Sequence, residues 1–84
     1  MPPRTKVLDQ ILSGRSDANV GFNDLLGLVC GLGFEERTRG SNHIFTRDGV
    51  AEIINLRPKG AKAKAYQVKQ VRHVILKYRL GEIR

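Results

Sequence analysis

Residues 33–56 read GFEERTRGSNHIFTRDGVAEIINL, and the punctuation of this stretch decides the fold. Residues 34–39 form a candidate strand, the pair Gly40-Ser41 a turn, and residues 42–47 a second strand. Asp48-Gly49 is a strong hairpin signal, because glycine readily takes the positive φ that tight β-turns demand. Residues 51–56 then form a third strand. Three strands joined by such short turns run antiparallel, so the centre of the chain is predicted to be a small meander.

Upstream, residues 22–32 place Phe22, Leu25, Leu26, Val29 and Leu32 on one helical stripe, and Gly33 stops the helix. Gly27 and Gly31 lie inside that helix, where each costs ~1 kcal/mol relative to alanine. We therefore read them as packing residues that let another backbone approach. Residues 4–13 form an earlier helix, with Val7, Leu8, Ile11 and Leu12 at helical spacing and Gly14 closing it. Residues 14–21 are rich in turn formers and read as a loop. Downstream, Pro58 ends the sheet, and residues 57–64 form a basic loop. Residues 65–80 form a last helix, with Val68, Val71, Val74, Ile75 and Tyr78 facing inward. The order helix, helix, three antiparallel strands, helix predicts a two-layer α+β domain with helices on one face of the sheet.

The chain has 84 residues, enough for one core. Its 40% hydrophobic and 27% charged composition is that of a folded domain. Cys30 is the single cysteine, so no intramolecular disulfide forms, and with two histidines the common four-ligand zinc site is excluded. No metal and no other cofactor is expected. The opening residues hold no apolar run of signal-peptide length, and no segment reaches the ~20 apolar residues of a membrane span. A cytoplasmic setting is expected, with no membrane contact. Net charge is +7 and unevenly placed. Residues 1–36 hold three bases and five acids; residues 37–84 hold twelve bases and three acids. Such a basic half suits a polyanion, against the plainer reading of a solvated surface.

The pair Gly33-Phe34, the run from Arg39 to Phe45 (RGSNHIF), and Ile53-Ile54-Asn55-Leu56 together resemble the HicA family of toxin–antitoxin mRNA interferases. The run from Lys59 to Gln70 (KGAKAKAYQVKQ) is similar to a longer branch of that family. The resemblance covers roughly residues 21–80. It divides the chain into an N-terminal helical extension and loop, 1–20, and a HicA-like domain, 21–84. It implies a double-stranded-RNA-binding-domain-like fold, metal-independent cleavage of mRNA, and neutralisation by a HicB-like antitoxin protein. One position departs. The family's active histidine follows the Gly-Ser pair directly, and here that place is Asn42, with His43 one residue later. Neighbouring strand residues point to opposite faces, so His43 does not simply stand in for position 42. Four alternatives stay open: a shifted strand start, a histidine acting from the other face, loss of catalysis, or an asparagine introduced to silence the enzyme.

RNA cleavage without a metal needs a base for the 2′-hydroxyl proton and an acid for the leaving 5′-oxygen. Histidine suits both, with an unperturbed pKa of about 6.5; asparagine does neither. The candidate catalytic residue is His43, whose alternative readings are RNA contact without catalysis and packing beside Phe45. The candidate RNA contacts are Arg37, Arg39, Ser41, Arg57, Lys59, Lys62, Lys64 and Lys69, since cations beside a phosphate stabilise its developing charge. Ser41 reads equally as a turn residue. His73, beside Lys69 and Lys77 on the last helix, reads first as solvated. Cys30 is expected in the core, and Tyr66 is expected to anchor the last helix rather than to stack on a base. Three functions follow: an endoribonuclease toxin, a catalytically inactive RNA-binding module of the same fold, or a basic protein-interaction domain docking an acidic partner.

Overall fold

The strands and turns read from the central stretch are realised as a three-stranded antiparallel sheet in the computed structural model, which describes residues 4–80. The outermost parts of the two segments drawn from the sequence, residues 1–3 and 81–84, lie outside the described residues. The elements are α1 (Arg4–Ser13), a 3-10 turn (Asp17–Asn19), α2 (Phe22–Gly31), β1 (Glu35–Arg39), β2 (Asn42–Arg47), β3 (Val50–Leu56), β4 (Pro58–Lys59), β5 (Lys62–Ala63) and α3 (Ala65–Tyr78). The sheet order is β1-β2-β3, and β4 pairs with β5 in a separate ribbon.

Register sorts the side chains into two faces. Glu36, Phe45 and Ile54 form one cross-strand row, and Thr38, His43 and Leu56 the next. Phe45, Ile54 and Leu56 are buried, so this face meets the helices. Arg37, Ile44 and Asn55 form a row on the opposite face, as do Arg39 and Asn42. That face is open: every residue of β1 is exposed, and Ile53 of β3 is 60% exposed.

One buried cluster joins Val7 and Ile11 of α1, four residues of α2, the sheet's Phe45, Ile54 and Leu56, and four residues of α3. The segment before residue 20 therefore shares the core of the rest. Arg72 of α3 fastens it, donating from Nη1 to the Ile11 carbonyl at 3.2 Å and to Asp17 Oδ1 at 2.9 Å. No helix among the described residues is long and apolar enough to cross a membrane.

Several local expectations are corrected. The apolar face of α2 centres on Phe22, Leu25, Leu28 and Val29, leaving Leu26 and Leu32 only partly buried. A Cβ on Gly27 would meet nothing within 4 Å, so no backbone approaches there. On α1, Leu12 faces outward while Val7 and Ile11 are buried. The last helix stops at Tyr78, because Arg79 turns left-handed at φ 56° and returns Leu80 to the core. The largest correction falls on residues 57–64. Pro58 does not end all strand structure there; it opens a second hairpin, where a proline is tolerated because β4 is an edge strand.

Candidate nucleic-acid interface

The β4–β5 hairpin places like charges against each other. Lys59 and Lys62 are register partners, and Lys64 follows directly. Like charges directly opposite destabilise a strand pair, so the hairpin's order comes from elsewhere. Gly60 makes the turn at φ 63°. The Phe22 amide donates to the Ala61 carbonyl at 2.9 Å, and the Ala63 amide to the Val20 carbonyl at 3.0 Å. Lys62 Nζ donates to Asn19 Oδ1 at 3.0 Å, and Ala63 is buried. A hairpin held in this way keeps its cations together although they repel, and an anion would relieve that repulsion. The helix that follows adds to the field: α3 has no acidic residue in its first turn, so its N-terminal positive end is not offset.

His43 lies on the inner face of β2. Its Nδ1 is 2.6 Å from Glu36 Oε2, and the two side chains are 23% and 33% exposed. Glu36 sits diagonally across from His43 on the same face, as the β1–β2 register requires. The His43 ring meets Phe22 edge to face, with centroids 5.4 Å apart. Phe22 also binds the hairpin through its amide, so the histidine and the lysine hairpin meet on one residue. The carboxylate holds the Nδ1 side of the ring and leaves Nε2 as the nitrogen available to other groups.

Cys30, expected in the core, is exposed, and its thiol donates to Glu36 Oε1 at 3.8 Å. Desolvation and then the Glu36 charge push its pKa up, which keeps it a thiol and a poor nucleophile. Among the described residues no three His, Cys, Asp or Glu side chains gather as metal ligands.

Asn42 and His43 point to opposite faces, as strand geometry demands. Asn42 pairs in register with Arg39 on the open face, where Arg37, Thr38, Arg39, Ile44 and Thr46 line a shallow groove. Ser41 is exposed in the two-residue turn with Gly40. The fold thus gathers the candidate residues into three groups. Arg37, Arg39 and Asn42 share the open sheet face. Lys59, Lys62 and Lys64 border one open basin on the hairpin, with exposed Arg57 between β3 and β4, and His43 pairs with Glu36 and meets the ring of Phe22 on the inner face. Lys69 and His73 are exposed farther along α3. Glu36 and Phe22 were not singled out as site residues from the sequence. The first was legible: once the turn is fixed at Gly40-Ser41, counting back places Glu36 beside His43. The contact of Phe22 with the hairpin is tertiary and leaves no local signal.

Comparison of the chain with protein-family models, curated proteins and solved structures found no match.

Proposed function

We propose that the chain is a metal-independent endoribonuclease of the HicA toxin type, cleaving mRNA held on the β4–β5 hairpin. The observation that carries this reading is the His43–Glu36 pair, 2.6 Å apart and joined through Phe22 to the lysine hairpin. Glu36 accepts the Nδ1–H hydrogen bond of His43 and stabilises the imidazolium that forms as Nε2 accepts the proton of an RNA 2′-hydroxyl. The 2′-oxygen then attacks the adjacent phosphorus, the bond from phosphorus to the 5′-oxygen breaks, and a 2′,3′-cyclic phosphate forms. An ammonium of the hairpin protonates the departing oxygen, and the neighbouring cations stabilise the charged phosphorane. The order α2-β1-β2-β3-α3 fits a double-stranded-RNA-binding-domain-like arrangement. The same resemblance brings a HicB-like antitoxin as partner.

One observation favours a second reading, an inactive RNA-binding module. Asn42 occupies the place of the family histidine, on the face opposite His43, and cannot move a proton. The deciding experiment is cleavage of a mixed-sequence single-stranded RNA with chelator present. We expect activity in the natural chain, loss of at least ~100-fold in His43→Ala, since general base catalysis contributes on the order of 10²–10⁴-fold, and a smaller loss in Glu36→Gln. Silence in the natural chain, with activity appearing in Asn42→His, would replace the nuclease reading with the binding one. A natural chain that neither cuts nor binds RNA but binds an acidic protein tightly would leave the protein-interaction reading.

A further inference from the structure

Tyr66 was expected to anchor the start of α3, yet it is 62% exposed and contributes nothing to the core. An aromatic ring left in water at the first turn of a helix, next to three lysines, calls for a reason. It stands at the rim of an open basin whose walls are Ala18, Pro58, Ala61, Ala63 and Ala65. These side chains are small and apolar, so they leave room above the hairpin that a larger residue would fill. Lys59, Lys62 and Lys64 border the same basin. Lys64 Nζ lies 5.8 Å from the centroid of the Tyr66 ring, the range of a cation–π contact.

We propose that this basin is a base-stacking subsite, in which Tyr66 stacks one nucleobase of a single-stranded RNA while Lys59, Lys62 and Lys64 hold the flanking phosphates. This deepens, and rests on, the reading of the hairpin as an RNA-binding surface. Small apolar side chains, one exposed aromatic ring and a border of ammonium groups match the two halves of a nucleotide, its π-faced base and its anionic phosphate. Charge complementarity selects the polyanion, and the ring selects an unpaired base, since a duplex keeps its base faces stacked on each other. The subsite reads no base edge, so it tolerates any sequence.

Binding of a short mixed-sequence single-stranded RNA, with 2′-O-methyl sugars to prevent cleavage, tests the proposal alongside an abasic strand of equal length. The natural protein, Tyr66→Ala and Tyr66→Phe are compared across a range of salt. Stacking of one base gives an expected weakening of roughly 5- to 100-fold in Tyr66→Ala. The salt slope stays unchanged, Tyr66→Phe stays within about twofold of the natural protein, and the abasic strand does not distinguish the three. Because Tyr66 is exposed, matching thermal midpoints verify that each variant is folded. Salt-dependent binding that is equal in the natural protein and Tyr66→Ala would overturn the stacking subsite and leave the cationic surface standing. Failure of the natural protein to bind the RNA at any salt would overturn the RNA reading itself, and the subsite with it.

Discussion

Arg72 and Lys77 of α3 carry the same charge as the cations of residues 57–64, yet the fold treats the two sets in opposite ways. Arg72 is matched by Asp17 at 2.9 Å, and Lys77 by Glu52 at 2.8 Å. Both pairs tie α3 to other elements, the first to the 3-10 turn and the second to β3. Among the described residues no carboxylate comes within ion-pair distance of Arg37, Arg39, Arg57, Lys59, Lys62 or Lys64. Asp17 and Glu52 are placed where they hold α3, and the cations of the hairpin and of the open sheet face are left without a carboxylate partner. Two kinds of positive charge are thus separated in space, one fixing the structure and one presenting a field to solvent. A net charge of +7 describes their sum and hides this division.

The contrast makes predictions that run from large to small. Replacing Arg57, Lys59 and Lys64 together by glutamine should weaken single-stranded RNA binding on the order of a hundredfold, and flatten the salt dependence by about 2 in log–log slope. Its thermal midpoint should not fall, because none of the three joins an ion pair and loss of the Lys59 charge relieves its repulsion with Lys62. Arg72→Met should do the reverse. Its loss strips a donor from the Ile11 carbonyl and a partner from Asp17, so urea unfolding should show a loss of about 2 kcal/mol, while the salt slope of RNA binding stays the same. A shared effect in both variants would break the division.

The Glu52 pair gives a sharper probe. Hydrogen bonds from Lys77 and then Tyr78 hold the Glu52 carboxyl down to about 2, against an ordinary 4.5. The unfolded chain therefore binds more protons between these values, and stability rises with pH across that window. The contribution of Glu52 is complete above about pH 4.5 and lost as pH falls through about 2. Urea midpoints measured from pH 2 to 6 should show the natural chain and Glu52→Gln converging at the acid end and separating above it. Equal midpoints throughout would remove the pair from the account of stability. Gly27→Ala, at an exposed helix position with nothing in the way, should stabilise by about 0.5–1 kcal/mol and leave RNA binding untouched. It separates stability from binding in a single substitution.

The sheet was legible because its signals are local. Gly40-Ser41 and Asp48-Gly49 fix both turns. Register then follows, and with it the opposition of Asn42 and His43. The second hairpin was not legible. Its strands have two residues each, and the bonds that hold it come from Val20, Phe22 and Asn19, some forty residues away in sequence. The exposure of Cys30 and Tyr66 was missed for a related reason: an apolar side chain on a helix is core only if its face is covered, and coverage belongs to the tertiary fold. Gly27 misled in the other direction, since a glycine in a helix resembles a contact point whether or not a neighbour arrives.

The most direct test of the division is an amide chemical-shift titration of the folded protein with a short 2′-O-methyl single-stranded RNA. The account predicts perturbations on the backbone of Arg37, Arg39, His43 and the hairpin through Tyr66, with the amides around Arg72 and Lys77 unmoved. Perturbations centred on Arg72, Lys77 and α1, with the hairpin silent, would contradict it.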